Sequence, residues 1–556
     1  MVHRGNVIPW LKRVKTALSL PNAGVSSWYL TSAERGNDST ALDRRRSDDM
    51  AWSVGNWVET LVHGAVYFRR LLDEIRELRA GDTLYFTDWR SDPDERLSDD
   101  PDSQVGAVMA AAARRGVVVK GLLWRSHLDQ LGFSAKENRH LGEVLNEAGA
   151  EVLLDQRVRL GGSHHQKLVV IRHASGREGD VAFVGGIDLS HGRRDDSDHR
   201  GDRQRQPMAP VYGPTPPWHD AQIAIHGPAV GDLEFCFRER WDDHTPLSRD
   251  PLGIIHDLLR HTHRRASKLP PMPADPAPCG THAVQVLRTY ARRLPGYPFA
   301  PDGERSVARG FRKAIGRARR FVYVEDQFLW STEVAKVFAD ALVATPSLHL
   351  IAVLPRYFDQ AGALTLHPNQ VGREHAVQVL LDAAHDRVAI YDIENAAGVP
   401  IYVHAKIGLI DDVWASVGSD NFNRRSWSHD SEIACAVIDE ERDSREPTDP
   451  AGLGDGARKF SRDLRLQLWR EHLGRADGDD GDLLDPSKAI AIFREAALAL
   501  DRWHAGDQRG ERPPGRLRTH PRVHLSRATR LWAEPMYRAI YDPDGRTPAM
   551  RRRAEW

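Results

Sequence analysis

The chain has 556 residues, 41% of them hydrophobic and 28% charged, which fits a folded protein with room for two or more well-buried cores. Its 77 basic residues face 78 acidic ones for a formal net charge of -1, so no global field draws it onto nucleic acid or anionic lipid, and any anion binding must be local. Cys236, Cys279 and Cys435 are too few and too scattered for a disulfide framework or a zinc site.

Taken in order, residues 1–50 read as a loosely ordered lead-in that includes the charge run Arg44-Arg45-Arg46-Ser47-Asp48-Asp49. Prolines and polar residues interrupt Met1 to Leu30 before a signal segment can form. No segment approaches the roughly 18 apolar residues of a membrane span. The expectation is a cytoplasmic protein, peripheral at most at the inner membrane surface.

Helical spacing over Tyr67 to Ile75 is followed by a strand from Thr83 to Phe86 that ends at Asp88-Trp89. A helix from Val105 to Arg115 precedes a buried strand from Val117 to Trp124, then a helix around Glu137 to Glu147 and a strand from Glu151 to Leu154. Such alternation predicts an α/β domain whose sheet is covered by helices. A polar stretch from Arg193 to Gln206 and a proline-rich loop from Pro207 to Pro217 lead to a strand over Trp218 to Ile225 and a helix from Val230 to Trp241.

Prolines crowd Pro270 to Pro278 and apolar periodicity stops, which makes 269–280 the best boundary in the sequence. It divides a first domain, 51–268, from a second, 281–475, that repeats the plan. Helices are predicted at Ser306 to Arg319, Thr332 to Ala344 and Arg373 to Ala384. Strands are predicted at Phe321 to Trp330, Leu348 to Leu354, Val388 to Tyr391, His404 to Ile410, Trp414 to Val417 and Glu432 to Ile438. Residues 476–556 form a C-terminal extension with an amphipathic helix from Lys488 to Trp503, read as a segment docked on the core.

The chemistry sits in a pattern that occurs twice. His404-Ala405-Lys406 opens an apolar β-branched run ending at Asp411 and is followed by Gly418-Ser419-Asp420-Asn421. His165-Gln166-Lys167 opens the run Leu168-Val169-Val170-Ile171 and is followed by Gly185-Gly186-Ile187-Asp188. Two residues apart on a strand, a histidine and a lysine leave the same face. A lysine is a compact cation suited to phosphate, and a histidine can attack, donate or accept a proton near neutral pH. The separation of the copies suits a domain plus its linker, so each half is expected to bring half a site.

With the flanking runs Phe183-Val184-Gly185-Gly186-Ile187-Asp188-Leu189 and Tyr323-Val324-Glu325-Asp326-Gln327-Phe328, the doubled His-x-Lys pattern resembles the phospholipase D superfamily. The resemblance runs from about Gly55 to Gly474 and is nearest to the phosphatidylcholine-hydrolysing type. It implies two pseudo-symmetric α/β/α sandwich domains meeting at the active site. It also implies that His165 is the nucleophile and His404 the general acid and then base, with Asp220 supporting His165 and Glu432 supporting His404. Lys167, Lys406, Ser419 and Asn421 would hold the phosphate, while Asp188, Asp411 and the glycines Gly185, Gly186 and Gly418 would serve the motif's structure.

Arg172 stands where the first copy would carry the motif aspartate, which leaves the structural contact there open. His164 should face away from the site, and Glu325, Asp326 and Gln327 could either touch substrate or cap the strand end. No metal or cofactor is expected. The partners implied are a phospholipid at a membrane surface and water or an alcohol as acceptor, without nucleic acid, and a monomer is expected. Rival readings are a phosphatidyltransferase of the cardiolipin synthase type, a phosphodiesterase acting on nucleic acid, which would want a basic groove with aromatic platforms, and a non-catalytic lipid-binding scaffold.

Overall fold

The computed structural model describes residues 24–46, 48, 50–126, 135–174, 178–248 and 265–556. The first half contributes strands β1 (Ser53–Val62), β2 (Thr83–Asp88), β3 (Val118–Trp124), β4 (Glu151–Asp155), β5 (Leu168–Arg172), β6 (Val181–Gly185), β7 (Trp218–His219) and β8 (Ala221–His226). The second contributes β9 (His282–Tyr290), β10 (Glu304–Arg305), β11 (Phe321–Glu325), β12 (His349–Val353), β13 (Val388–Ile393), β14 (Tyr402–Val403), β15 (Ile407–Ile410), β16 (Trp414–Gly418), β17 (Glu432–Asp439) and β18 (Leu517–Thr519).

Among the described residues, sixteen strands make one mixed sheet in the order β18-β13-β12-β11-β15-β16-β17-β9-β1-β8-β6-β5-β2-β3-β4, with β10 beside β9. From its middle outward the sheet reads the same in both directions: β1-β8-β6-β5-β2-β3-β4 matches β9-β17-β16-β15-β11-β12-β13. The match extends to strand sense, since β2, β3 and β4 are mutually parallel, as are β11, β12 and β13, and the others pair antiparallel. Period-two alternation sends Leu168 and Val170 to one face and Val169 and Ile171 to the other, and both faces are covered.

One core is continuous through both halves, packing the sheet against helices Ala229–Trp241, Lys459–Leu473 and Pro486–Ala505. On the opposite face each half has its own core. Helices Gly64–Glu77, Val105–Arg114 and Ala135–Glu147 cover the first, and Ser306–Arg317, Thr332–Ala344 and Ala363–Ala384 cover the second. This is the layered α/β architecture expected from the alternation.

The halves join through β1 and β9, neither of which the sequence reading recognised as a strand. In β9 every residue is buried, but His282, Gln285, Arg288 and Thr289 break the apolar run. Their polar groups are met by tertiary partners: Arg288 pairs with Glu304 and Glu239, and Gln285 bonds Leu30 and Ala51.

Of the lead-in, residues 1–23 lie outside the described residues, and the rest differs from expectation. From residue 24 onward it packs, with Trp28, Tyr29 and Leu30 buried and Arg35 paired to Asp43 and Glu304. The Pro-rich segment is clasped by the first half, through Arg45–Asp275, Arg238 donating to the Pro270 carbonyl at 2.8 Å, and Arg172 donating to the Ala274 carbonyl. The C-terminal segment supplies β18 on the edge of β13, and Asp542 receives Arg424 at 2.9 Å.

Candidate active site at the seam between the halves

His165 and Lys167 lie in an extended segment that ends where β5 begins, and His404 and Lys406 lie likewise before β15. The pairs are therefore one step outside the strands that the sequence assigns them to, because the residues before each strand cross to the other half. The His165 amide donates to the Ser431 carbonyl at 2.9 Å, and the His404 amide donates to the His219 carbonyl at 2.8 Å. A parallel bridge His164–Ser431 on one side mirrors the pairing of β14 with β7 on the other, where Val403 faces His219.

That crossing decides which carboxylate serves which histidine. His165 Nδ1 lies 2.9 Å from Glu432 Oε2, and His404 Nδ1 lies 2.7 Å from Asp220 Oδ2. The assignment by order along the chain, Asp220 to His165 and Glu432 to His404, is thus corrected: each carboxylate orients the histidine of the opposite half. Both carboxylates are fully buried. A carboxylate at Nδ1 fixes the tautomer and leaves Nε2 as the reactive nitrogen.

The glycines make room for this. A Cβ on Gly186 would lie 2.2 Å from Asp220 Oδ1, and one on Gly418 would lie 2.4 Å from the Ala434 Cβ. At the position matching Gly186 the second half has Ser419, whose hydroxyl donates to Glu432 Oε2 at 2.5 Å and accepts from the Ile433 amide. Ser419 therefore supports the carboxylate behind His165 and does not present a free donor to phosphate. The Asn421 Oδ1 is buried without a hydrogen-bond partner among the described residues.

The cations gather in the same space. Lys167 Nζ pairs with Asp188 Oδ1 at 3.0 Å, and the Arg193 guanidinium stands 3.9 Å from Asp188 and 3.8 Å over the Trp218 ring. Burial alone would raise Asp188, but Lys167 and Arg193 outweigh it and hold the carboxyl below its usual range. Lys406 donates to the His404 carbonyl; burial brings its ammonium down to about 8 against the pull of Asp220 and Asp326. His404 is held well below its ordinary value by burial first, then by Lys406, Arg193 and Lys167. Lys167, from the first half, thus acts on both His404 and Lys406 of the second.

Aromatic rings line both ends: Trp89 meets the His165 ring edge-on at 5.9 Å, and Trp218 lies 4.9 Å from the His404 ring. Trp89 and Arg193 were not singled out as site residues from sequence. Arg193 sits in a charge-rich stretch where nothing separates it from its exposed neighbours.

The remaining motif residues are structural neighbours. Asp411 accepts the amides of Arg319, Arg320 and Phe321 at 2.7 to 2.9 Å, and burial raises its carboxyl to about 6. Arg172, at the matching position, pairs instead with Asp180 and Glu234. Asp326 caps the Phe328, Leu329 and Phe422 amides, Gln327 reaches the Tyr402 hydroxyl, and His164 is buried against Gln166. Glu325 bonds His219 and His472.

Two His-carboxylate pairs, each with its acid buried, thus meet Lys167 and Lys406 at the seam. Residues 80–353 match the family model Phospholipase D, and residues 369–446 match the model Cardiolipin synthase, PLD-like domain. The chain belongs to the phospholipase D superfamily. It is 26% identical to phospholipase D alpha 2 of Oryza sativa subsp. japonica over 76% of its own length and 64% of that protein's. It is 25% identical to phospholipase D2 of Bos taurus over 78% of its own length and 54% of that protein's. The chain thus spans just under two thirds of the first of these relatives and about half of the second. A crystal structure of phosphatidylserine synthase from Haemophilus influenzae Rd KW20 aligns with a TM-score of 0.46 at 12% identity, covering 69% of this chain and 82% of that one. No helix among the described residues is long and apolar enough to cross a membrane.

Proposed function

We propose that the protein is a phospholipase D that hydrolyses glycerophospholipids at the distal phosphodiester bond, giving phosphatidic acid and a head-group alcohol. The observation that carries this reading is the crossed arrangement: two histidines from distant parts of the chain, each held through Nδ1 by a buried carboxylate of the other half, around Lys167 and Lys406. His165 Nε2 attacks phosphorus, a nitrogen–phosphorus bond forms, and the bond to the head-group oxygen breaks as His404 gives that oxygen its proton. His404 then takes a proton from water, the new oxygen–phosphorus bond forms, and the His165–phosphorus bond breaks. An alcohol in place of water gives transphosphatidylation.

Electrostatics fit His404 to the acid role once substrate is present. In the free site burial first, and then the neighbouring cations, hold its ring well below its ordinary value. A phosphate anion between those cations offsets them, so substrate arrival itself favours the imidazolium that must protonate the leaving group. Lys167 and Lys406 meet charge as it builds on the phosphoryl oxygens, and Arg193 adds a third cation beside them.

Residues 209 and 212 of the Pro-rich loop contact the loop near Tyr357: the Ala209 amide donates to the Asp359 carbonyl at 2.7 Å, and the Tyr212 hydroxyl donates to the Tyr357 carbonyl. These two loops are the ones we assign to head-group selection. The match of residues 369–446 to a cardiolipin synthase model supports a second reading, transfer of a phosphatidyl group to a lipid alcohol by the same residues.

The test is incubation of purified protein with mixed phospholipid vesicles and a short alcohol, without added metal, with the lipids read by mass spectrometry. Phosphatidic acid and the phosphatidyl-alcohol are expected. Only products with a lipid alcohol as acceptor would replace the hydrolase reading with the transferase one, and no turnover of any phospholipid class would end both.

A further inference from the structure

Beside Asp220, through its chain neighbour His219, lies a second cluster that the proposed reaction does not use. His63 stands between β1 and helix Gly64–Glu77, His199 lies in the polar stretch, His219 closes β7 and Glu471 stands near the end of helix Lys459–Leu473. The three histidines are buried, with rings 4.7 to 5.7 Å apart. Their nitrogens converge on one carboxylate: His63 Nε2 lies 2.7 Å from Glu471 Oε2, His199 Nε2 lies 2.9 Å from Oε1, and His219 Nδ1 lies 3.5 Å from Oε1. One ligand atom from each of the four residues lies within 4.8 Å of every other.

The outward-facing nitrogens make the case. His199 Nδ1 faces the Trp218 carbonyl at 3.0 Å and Asp195 at 3.6 Å, so it must carry a hydrogen. His219 Nε2 faces Glu325 Oε2 at 2.7 Å, and the other Glu325 oxygen is held by His472 and Tyr323. A neutral imidazole has one donor and one acceptor nitrogen. With both rings neutral, each turns an electron pair toward the acceptor oxygens of Glu471, and His219 Nδ1 is buried without a hydrogen-bond partner among the described residues. A divalent cation among the four atoms removes that conflict. The outer bonds, one to a backbone carbonyl and one to a carboxylate, are those that fix the tautomer of a metal-ligating histidine.

Two further observations agree. The His63 backbone has φ 73° and ψ 153°, and His199 has φ 54°, conformations that side-chain-bearing residues seldom adopt and that hold both rings in place. Among the described residues the matching position of the duplicated fold has no such cluster: Ser431 stands where His219 does, beside Ser163, Asp430 and Arg425, joined by hydrogen bonds and an ion pair. The cluster is not a requirement of the fold.

We propose that His63, His199, His219 and Glu471 form a site for a zinc-class divalent cation that clamps the two halves together next to Asp220. Three imidazole nitrogens and one carboxylate suit a four-coordinate zinc. With bonds of 2.0 to 2.1 Å the ligand atoms of such a centre stand roughly 3.3 Å apart, which the cluster reaches by small side-chain shifts. Three ligands come from the first half and one from the second, so the ion would tie helix Lys459–Leu473 to the segment that carries Asp220 and through it would steady His404. No catalytic step passes through it. Sequence reading expects no metal because the four ligands lie at unrelated spacings, and only the folded seam brings them together.

The test uses the full chain without a polyhistidine tag. Metal content is measured after purification without chelator, and the stripped protein is then titrated with Co²⁺ while its visible d–d bands are followed. Expected results are about one zinc per chain and the band pattern of a four-coordinate cobalt site that zinc abolishes. The variants His199→Gln and Glu471→Gln, checked for fold by circular dichroism, should each lose uptake by at least about tenfold, and Glu325→Gln should weaken it by about 10- to 100-fold. Absence of four-coordinate cobalt bands in the wild-type chain overturns the proposal, as does undiminished uptake in the folded His199→Gln and Glu471→Gln variants. If a variant does not fold, the wild-type cobalt titration alone decides.

Discussion

The two halves are built to one plan, yet the ends of the site differ. Around Lys167 the first half places an acid, Asp188, while the matching residue beside Lys406 is the neutral Asn421. His404 rests on Asp220, next to a bare Gly186, whereas His165 rests on Glu432, which also receives the hydroxyls of Ser419 at 2.5 Å and Ser426 at 2.7 Å. His165 is partly open to solvent and His404 is buried. A duplicated framework supplies two similar imidazoles; the unlike residues around them allow one to attack and the other to manage protons.

The sharpest way to break that comparison is to remove each ring. His165→Ala should lower turnover by at least about 10⁴-fold and leave no covalent phosphoryl adduct in intact-protein mass spectra. His404→Ala should lower steady-state turnover by about 10²- to 10⁴-fold while still forming the adduct from a substrate with a good leaving group. An adduct in the first variant and none in the second would exchange the two roles.

The crossed carboxylates come next. Asp220→Asn and Glu432→Gln should each cost about 10²- to 10³-fold in kcat. In double-mutant cycles Asp220→Asn should be strongly non-additive with His404→Ala and nearly additive with His165→Ala. The reverse pattern would restore the pairing by chain order.

Acidity gives a smaller effect with a definite sign. Burial brings Lys406 from its ordinary 10.5 to about 8, so kcat/KM should fall as pH rises through about 8 and the ammonium is lost. Stability moves the other way: between about pH 8 and 10.5 the unfolded chain binds a proton that the folded chain lacks, so folding is favoured as pH rises across that window. In Lys406→Met this rise should be missing from denaturant titrations at pH 8 and 10.

The smallest change expected is at Ser419. Loss of one hydrogen bond to Glu432 in Ser419→Ala should reduce kcat by about 2- to 10-fold and leave KM unchanged. A rise in KM alone would return Ser419 to the phosphate-binding role read from sequence.

Local signals carried most of the fold. Buried apolar runs such as Thr83–Asp88 and amphipathic helices such as Thr332–Ala344 report their own conformation, and the doubled His-x-Lys reports the site. What stayed hidden depends on contacts between segments far apart in the chain. β9 hides because its buried polar residues are satisfied by partners elsewhere. The carboxylate pairing was misread because chain order puts Asp220 after His165, whereas the crossing of Val403 with His219 and of His164 with Ser431 gives each acid to the other half. Arg193 stayed hidden because its place over Trp218 is a tertiary fact.

The amide of each histidine is tied to a carbonyl of the opposite half, at Ser431 and at His219. In a pair of identical chains arranged this way, any residue chosen to tune one ring would be imposed on its twin. A single polypeptide carrying both copies is free of that constraint, so one copy can hold Asp188 and Gly186 where the other holds Asn421 and Ser419.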